Sequence, residues 1–324
     1  MRFNIRHVTR FAYESPITES VMEVRMQPRT DGQQRCLHFG LTTTPATRVM
    51  MYQDQGGNVV HHFDIPGRHA ALTVTAEAMV ECNPPAPLPH RLGPHAWSDL
   101  DLMVKGGEFW EWLSPSDFAR PTPLLEAFAE QLRLQRGNDP LVALRGLMGE
   151  MYTRFAYNQR STRVDSPVDD ALEARAGVCQ DFAHIFIALA RSLGVPARYV
   201  SGYLFNDGGT DRSIDGATHA WVEILLPDVG WVGLDPTNNL LATERHIRVA
   251  IGRDYADVPP TRGVFKGTAE VRSELMVGVS VGHAKGPLAG DEVPFTPWMS
   301  REAGATAPEG ESARAQQQQQ QQQQ

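Results

Sequence analysis

A chain of 324 residues is long enough for about two domains of ordinary size, which excludes a small unit held together only by disulfides. A composition of 41% hydrophobic and 21% charged residues, with no run near the roughly 18 apolar residues of a membrane helix, predicts a soluble globular protein with no membrane partner. Thirty Lys and Arg against 38 Asp and Glu leave a net charge of −8, which argues against nucleic acid as a partner.

Met1 to His7 is charged and lacks the apolar stretch of a secretory signal, so the expected location is the cytoplasm. Short runs that alternate or carry β-branched side chains follow: Phe3 to Tyr13, Leu37 to Thr44, Val59 to Ile65 and Leu72 to Val80. Turn signals at Asp31-Gly32, Gly56-Gly57-Asn58 and Pro66-Gly67 separate them, and the pattern predicts an antiparallel β domain over residues 1–83. His61 and His62, adjacent on a strand, point to opposite faces and offer no joint metal site. Pro84, Pro85, Pro87, Pro89 and Pro94 then predict a stiff extended segment opening a connector over 84–120.

The rest of the ordered chain, 121–283, reads as a second domain with a C-terminal strand. Amphipathic helices are expected over 122–135 (Leu125, Phe128, Leu132) and 140–155 (Leu144, Leu147, Met148, Met151). Ser166, Pro167 and Asp169 supply an N-cap, a first-turn proline and a third-position carboxylate for the next helix. After the interruption at Gly177, a further helix carries Phe182, Ile185, Phe186, Leu189 and Leu193 on one face, closed by Gly194 and Pro196. Strands follow at Ala197 to Phe205, His219 to Leu226, Trp231 to Asp235, and 271–282. From 284 the composition predicts a disordered tail ending in the glutamines Gln316 to Gln324.

The three cysteines, Cys36, Cys82 and Cys179, have no zinc-ligand spacing and no C-x-x-C, so neither disulfides nor structural zinc is expected. Cys179 opens a helix, where free N–H groups and the helix dipole favour a thiolate; otherwise it is a small buried apolar residue. A nucleophilic cysteine needs a base, and His219 stands at a strand start beside a loop. Asp235 ends the next strand and can orient the imidazole. If Leu225 opposes Trp231, with Pro227 to Val229 as the loop, Asp235 falls opposite Trp221 and on the face of His219, which we expect to be the face turned toward Cys179. His184 lies about 140° round the helix from Cys179 and should not face it, and Asp181 should tie down the helix start. Trp221 and Trp231 read as core or cleft-wall residues. For an oxyanion, the Cys179 N–H is one donor; the second is left among Tyr157, Asn158, Gln159 and the Gln180 side chain.

The runs Gly177-Val178-Cys179-Gln180-Asp181-Phe182-Ala183, Leu193 to Tyr203, His219-Ala220-Trp221-Val222-Glu223 and Trp231 to Thr237, in this order, resemble the bacterial transglutaminase-like superfamily. The opening residues, with Tyr13-Glu14-Ser15-Pro16, resemble the N-terminal domain that accompanies its core. The resemblance implies an α+β, papain-like core with helices packed on an antiparallel sheet, and gives the catalytic roles to Cys179, His219 and Asp235. It implies a thiol-dependent acyl-transfer enzyme acting on a protein or peptide substrate: a hydrolase of peptide or isopeptide bonds, an amine-accepting transglutaminase, or an inactive binding module. No cofactor or metal is required, and no acidic loop has EF-hand spacing.

Overall fold

The structure, a computed structural model, describes residues 1–209, 211–213, 216–267, 271–284 and 296–297. Its elements in chain order are β1 (Arg2–Val24), β2 (Gln34–Thr44), β3 (Met50–Gln53), β4 (Val59–Cys82), α1 (Ala96–Lys105), α2 (Trp110–Leu113), α3 (Pro123–Gln131) and α4 (Pro140–Arg154). There follow β5 (Ala156–Tyr157), α5 (Val168–Ala174), β6 (Ala176–Gly177), α6 (Cys179–Ser192), β7 (Ala197–Leu204), β8 (His219–Leu226), β9 (Gly230–Asp235) and β10 (Leu240–Leu241). The chain closes with β11 (His246–Gly252), β12 (Thr261–Lys266), β13 (Ser273–His283) and β14 (Thr296–Pro297). This is an α+β fold with two antiparallel sheets. The expected tail over 284–324 lies outside the described residues except for Ala284 and β14.

Alternation builds the first sheet, because Leu72, Val74, Ala76, Ala78, Val80 and Cys82 of β4 are buried at every second position. Strand order is β14-β13-β1-β4-β2, with β12 also on β1 and β3 on β4. Pro66-Gly67, expected to be a turn, lies within β4 instead. Gly67 takes φ +99°, and β1 shifts register opposite it between Ala12 and Ile17 and again before Glu19, so the paired strands bend without ending. The sequence groups residues 271–283 with the second domain; their hydrogen bonds place β13 along Phe3 to Tyr13, in the first sheet.

The proline-rich segment carries neither helix nor strand from 83 to 95, but α1 and α2 lie within the expected connector. It is tied down where Leu92 N–H donates to Asp139 Oδ2 at 2.5 Å, while Oδ1 caps α4 through Val142 N–H. The expected cap at Ser166 is not made. Its hydroxyl accepts from Arg163 N–H, α5 starts after Pro167, and Asp169 accepts from the Thr122 hydroxyl at 2.5 Å.

The second sheet, β10-β9-β8-β7-β11, is covered by α6. This helix is buried at every position from Gln180 to Arg191, not on one face, because α3, α4 and α5 pack on the side away from β7 and β8. Each large apolar side chain buried there contributes about 1.5–3 kcal/mol. Its buried polar groups are satisfied: His184 accepts from Tyr255 N–H, and Arg191 donates to the carbonyls of Trp112, Ser114, Ala197 and Arg253. One continuous core joins the sheets, and His7 of β1 meets the Tyr203 hydroxyl of β7 at 3.0 Å. Among the described residues no helix is long and apolar enough to cross a membrane.

Candidate active site

Topology brings Cys179 and His219 to the same end of the second sheet. The chain leaves α6 through Gly194, at φ +79°, and returns antiparallel as β7. β7 then pairs with β8 so that Gly202 opposes His219, at the end where α6 begins. The helix start is held by Asp181, whose Oδ2 accepts from Val178 N–H at 2.8 Å and from the Thr162 hydroxyl at 2.5 Å. This is the tying role expected for Asp181. Burial raises its pKa to about 6. Cys179, half-buried, is the first residue of the helix, where backbone N–H groups lack intrahelical partners.

The β8–β9 hairpin pairs Leu225 with Trp231 and Leu226 with Gly230, leaving Pro227 to Val229 as a three-residue loop with Asp228 at φ +61°. This is the register expected from the sequence. It sets Asp235 beside His219, and Nε2 of the imidazole meets Oδ2 of the carboxylate at 2.8 Å. The expected sheet face is corrected. Ala220, Val222, Ile224 and Leu226 belong to the core under α6, whereas Trp221 joins Val200 and Ile251 in a separate cluster, and His219 stacks on Trp221. By alternation His219 and Asp235 therefore share the face away from α6, and thiol and imidazole meet at the strand end.

Trp221 lies across this face on two glycines. A Cβ on Gly202 would come within 2.7 Å of its six-membered ring, and one on Gly233 would be 3.6 Å from its indole nitrogen. A cavity of about 830 Å³ under the proline-rich segment reaches Trp221 and His246 from the other side. Trp231 is half-buried, edge-on to Trp112 and stacked under Arg198 at 3.9 Å.

Asp235 is fully buried and accepts five hydrogen bonds. Oδ1 takes the N–H groups of Thr237 (3.1 Å) and Asn238 (3.2 Å). Oδ2 faces Asn238 Nδ2 (2.8 Å), His219 Nε2 (2.8 Å) and His246 Nε2 (3.2 Å). Burial alone would raise the carboxyl pKa; His219, followed by His246, outweighs it and holds Asp235 well below the usual carboxylate range. Burial likewise pushes His219 down, but the charge and hydrogen bond of Asp235, with a further contribution from Cys179, raise it above its ordinary value. His219 Nδ1 is buried and has no hydrogen bond within normal geometry. Since Nε2 is committed to Asp235, Nδ1 is the ring atom open to the thiol.

His184 stacks on Phe118 and burial lowers its pKa to about 3, a core histidine as its helical angle predicts. The Gln180 side chain, a candidate oxyanion donor, is taken by the Val164 carbonyl at 2.7 Å. Tyr157 pairs in parallel with Gly177, and Asn158 N–H donates to the Gly177 carbonyl at 2.9 Å, so residues 157–158 lie beside the chain that leads into Cys179. Asn158 is exposed, its Oδ1 accepting from Arg160 N–H, and Gln159 is half-buried. His61 is buried and His62 half-buried on opposite faces of β4. Among the described residues, His219, Asp235 and His246 bring metal-ligand atoms within 4.8 Å of one another, but hydrogen bonds already join them. Sequence reasoning missed His246 and Asn238; the Asp-Pro-Thr-Asn spacing, typical of a side-chain-capped turn, was the one available signal.

Comparison with known proteins matches residues 126–236 to the transglutaminase-like superfamily core and residues 3–81 to the bacterial transglutaminase-like N-terminal region. An uncharacterized protein of Mycobacterium leprae is 34% identical over 281 residues, covering 86% of this chain and 98% of its own length. The chain belongs to the transglutaminase-like superfamily. Another uncharacterized relative, from Mycobacterium tuberculosis, is 37% identical over 295 residues, covering 86% of this chain and 92% of its own. The fold is shared with the crystal structure of a "Putative Cysteine Protease" from Cytophaga hutchinsonii, with a TM-score of 0.68 and 20% identity over 93% of this chain and 94% of that one. Over 182 residues, 53% of this chain, it is 31% identical to the protein-glutamine gamma-glutamyltransferase of Pseudomonas aeruginosa, of which it covers 25%.

Proposed function

We propose that this protein is a thiol-dependent acyl-transfer enzyme that hydrolyses peptide or isopeptide amide bonds, with Cys179 as nucleophile, His219 as acid and base, and Asp235 as orienting group. The observation that carries the reading is the commitment of His219 Nε2 to a buried Asp235, with Nδ1 left open at the start of α6. In this mechanism the Cys179 thiolate attacks the amide carbon, and the oxyanion receives the Cys179 N–H and a second donor from residues 157–159. His219, as imidazolium, gives its proton to the departing amine as the C–N bond breaks, leaving a thioester. Water then attacks the thioester, His219 takes its proton, and the thiolate returns with release of the carboxylic acid. No cofactor enters these steps.

A peptide library tests this reading: cleavage by the unaltered protein that Cys179→Ala abolishes, at equal melting temperature, supports it, and cleavage by both proteins contradicts it. A cytoplasmic site of action belongs to the same reading and is checked by cell fractionation.

The likeness to the Pseudomonas glutamyltransferase favours a second reading, in which a primary amine replaces water. Gln316 to Gln324 would then be available as acyl donors in the chain itself. Cys179-dependent incorporation of a labelled amine into that tract would favour transfer over hydrolysis.

A further inference from the structure

We infer that His246 is a positioning residue, a neutral imidazole that fixes the Asp235 carboxylate in the orientation His219 requires. The inference rests on the acyl-transfer reading above.

The tautomer follows from the turn before β11. Thr243 N–H donates to His246 Nδ1 at 3.1 Å, and His246 N–H donates back to the Thr243 carbonyl at 3.0 Å. A nitrogen that accepts carries no proton, so the ring proton sits on Nε2 and points at Asp235 Oδ2, 3.2 Å away. The groups facing the ring are Asp235 from β9, His219 from β8 and its neighbour Arg245, and burial lowers the ring's pKa despite the carboxylate. A proton on Nδ1 would oppose the Thr243 N–H. The ring is held besides by Trp221, edge-on at 5.3 Å.

This geometry divides the labour between two histidines on one oxygen. His246 has both ring nitrogens committed, whereas His219 has one committed and one open. Asp235 cannot turn toward either without losing the other or the two backbone donors on Oδ1. β8 and β7 lie between β9 and β11, so the contact spans the sheet, on the face where a side chain on Gly202 would strike the Trp221 ring.

The test follows iodoacetamide alkylation of Cys179 in the full chain at neutral pH. His246→Ala should slow the reaction about tenfold, the scale of one lost hydrogen bond to a charged group. His246→Gln, which keeps an N–H donor, should recover most of the rate. Free imidazole should also restore His246→Ala, entering through the cavity that reaches this side chain. Equal rates in all variants, or a slow His246→Ala rescued by neither means, overturn the inference. Should His246→Ala fail to fold, nitrogen-15 NMR of the unaltered protein decides: a neutral Nε2–H ring is expected, and an Nδ1–H ring or an imidazolium at neutral pH overturns it. A Cys179 that reacts no faster than Cys36 in the unaltered protein overturns the acyl-transfer reading and this inference together. A fast Cys179 indifferent to His246 overturns this inference alone.

Discussion

The carboxylate of Asp181 fills the space that a side chain on Gly177 would need: a Cβ there would lie 2.7 Å from Asp181 Oδ2 and 2.7 Å from its Cβ. The glycine four residues before Asp181 is therefore part of the helix cap that presents Cys179. Gly177→Ala should displace Asp181 from the Val178 N–H and cost about 1–2 kcal/mol, the value of a lost cap. Urea unfolding measures this, and Cys179 alkylation should slow in parallel. An unchanged midpoint would show that the two residues do not compete for that space.

Asp235→Asn should weaken turnover more than stability, yet stability will not escape. An amide offers one acceptor oxygen where the carboxylate offers two, so either the backbone donors on one side or the side-chain donors on the other must face an NH₂ group. A loss of about 2–4 kcal/mol in unfolding free energy is expected. The loss of rate should be about 10³–10⁴-fold, the scale seen when a triad histidine is left in the wrong tautomer. A rate loss no larger than the stability loss explains would remove the orienting role.

Stability should also report the His219–Asp235 pair through pH. The folded-state pKa of His219 is raised above its ordinary 6.5, so its contribution is fully present below about pH 6.5 and is lost as pH rises through the folded value. In Cys179→Ala, which removes the smaller contribution of the thiol, unfolding free energy should fall with rising pH above 6.5. The slope should not exceed about 1.4 kcal/mol per pH unit. Adding Asp235→Asn leaves burial to lower the His219 pKa, so its contribution becomes present above 6.5 and is lost on acidification. Identical pH profiles for the two proteins would contradict the pairing.

The β8–β9 register is legible in the sequence because a three-residue loop and a two-residue period leave one arrangement that sets Asp235 on the face of His219. The limits of α6 are legible too, since Gly177 and Gly194 punctuate it. Other features depend on contacts across the chain. Nothing local marks residues 273–283 as partners of residues 3–13, a pairing that spans most of the sequence. Pro66-Gly67 carries a turn signal, but its partner strand supplies a bulge that absorbs it. Nothing local marks His246 at the start of β11; its role arises only because β11 docks on β7 and brings the ring to Asp235.

Thiol reactivity tests the central claim most directly, because it needs no substrate. Burial raises Cys82 to about 11 and also raises Cys36, whose thiol hydrogen-bonds the His38 carbonyl. Limited iodoacetamide labelling at pH 6, followed by peptide mapping, should find Cys179 modified first and nearly alone, and His219→Gln should abolish that preference. Equal labelling of all three cysteines, or a preference for Cys179 that survives His219→Gln, would contradict the nucleophile and its partner.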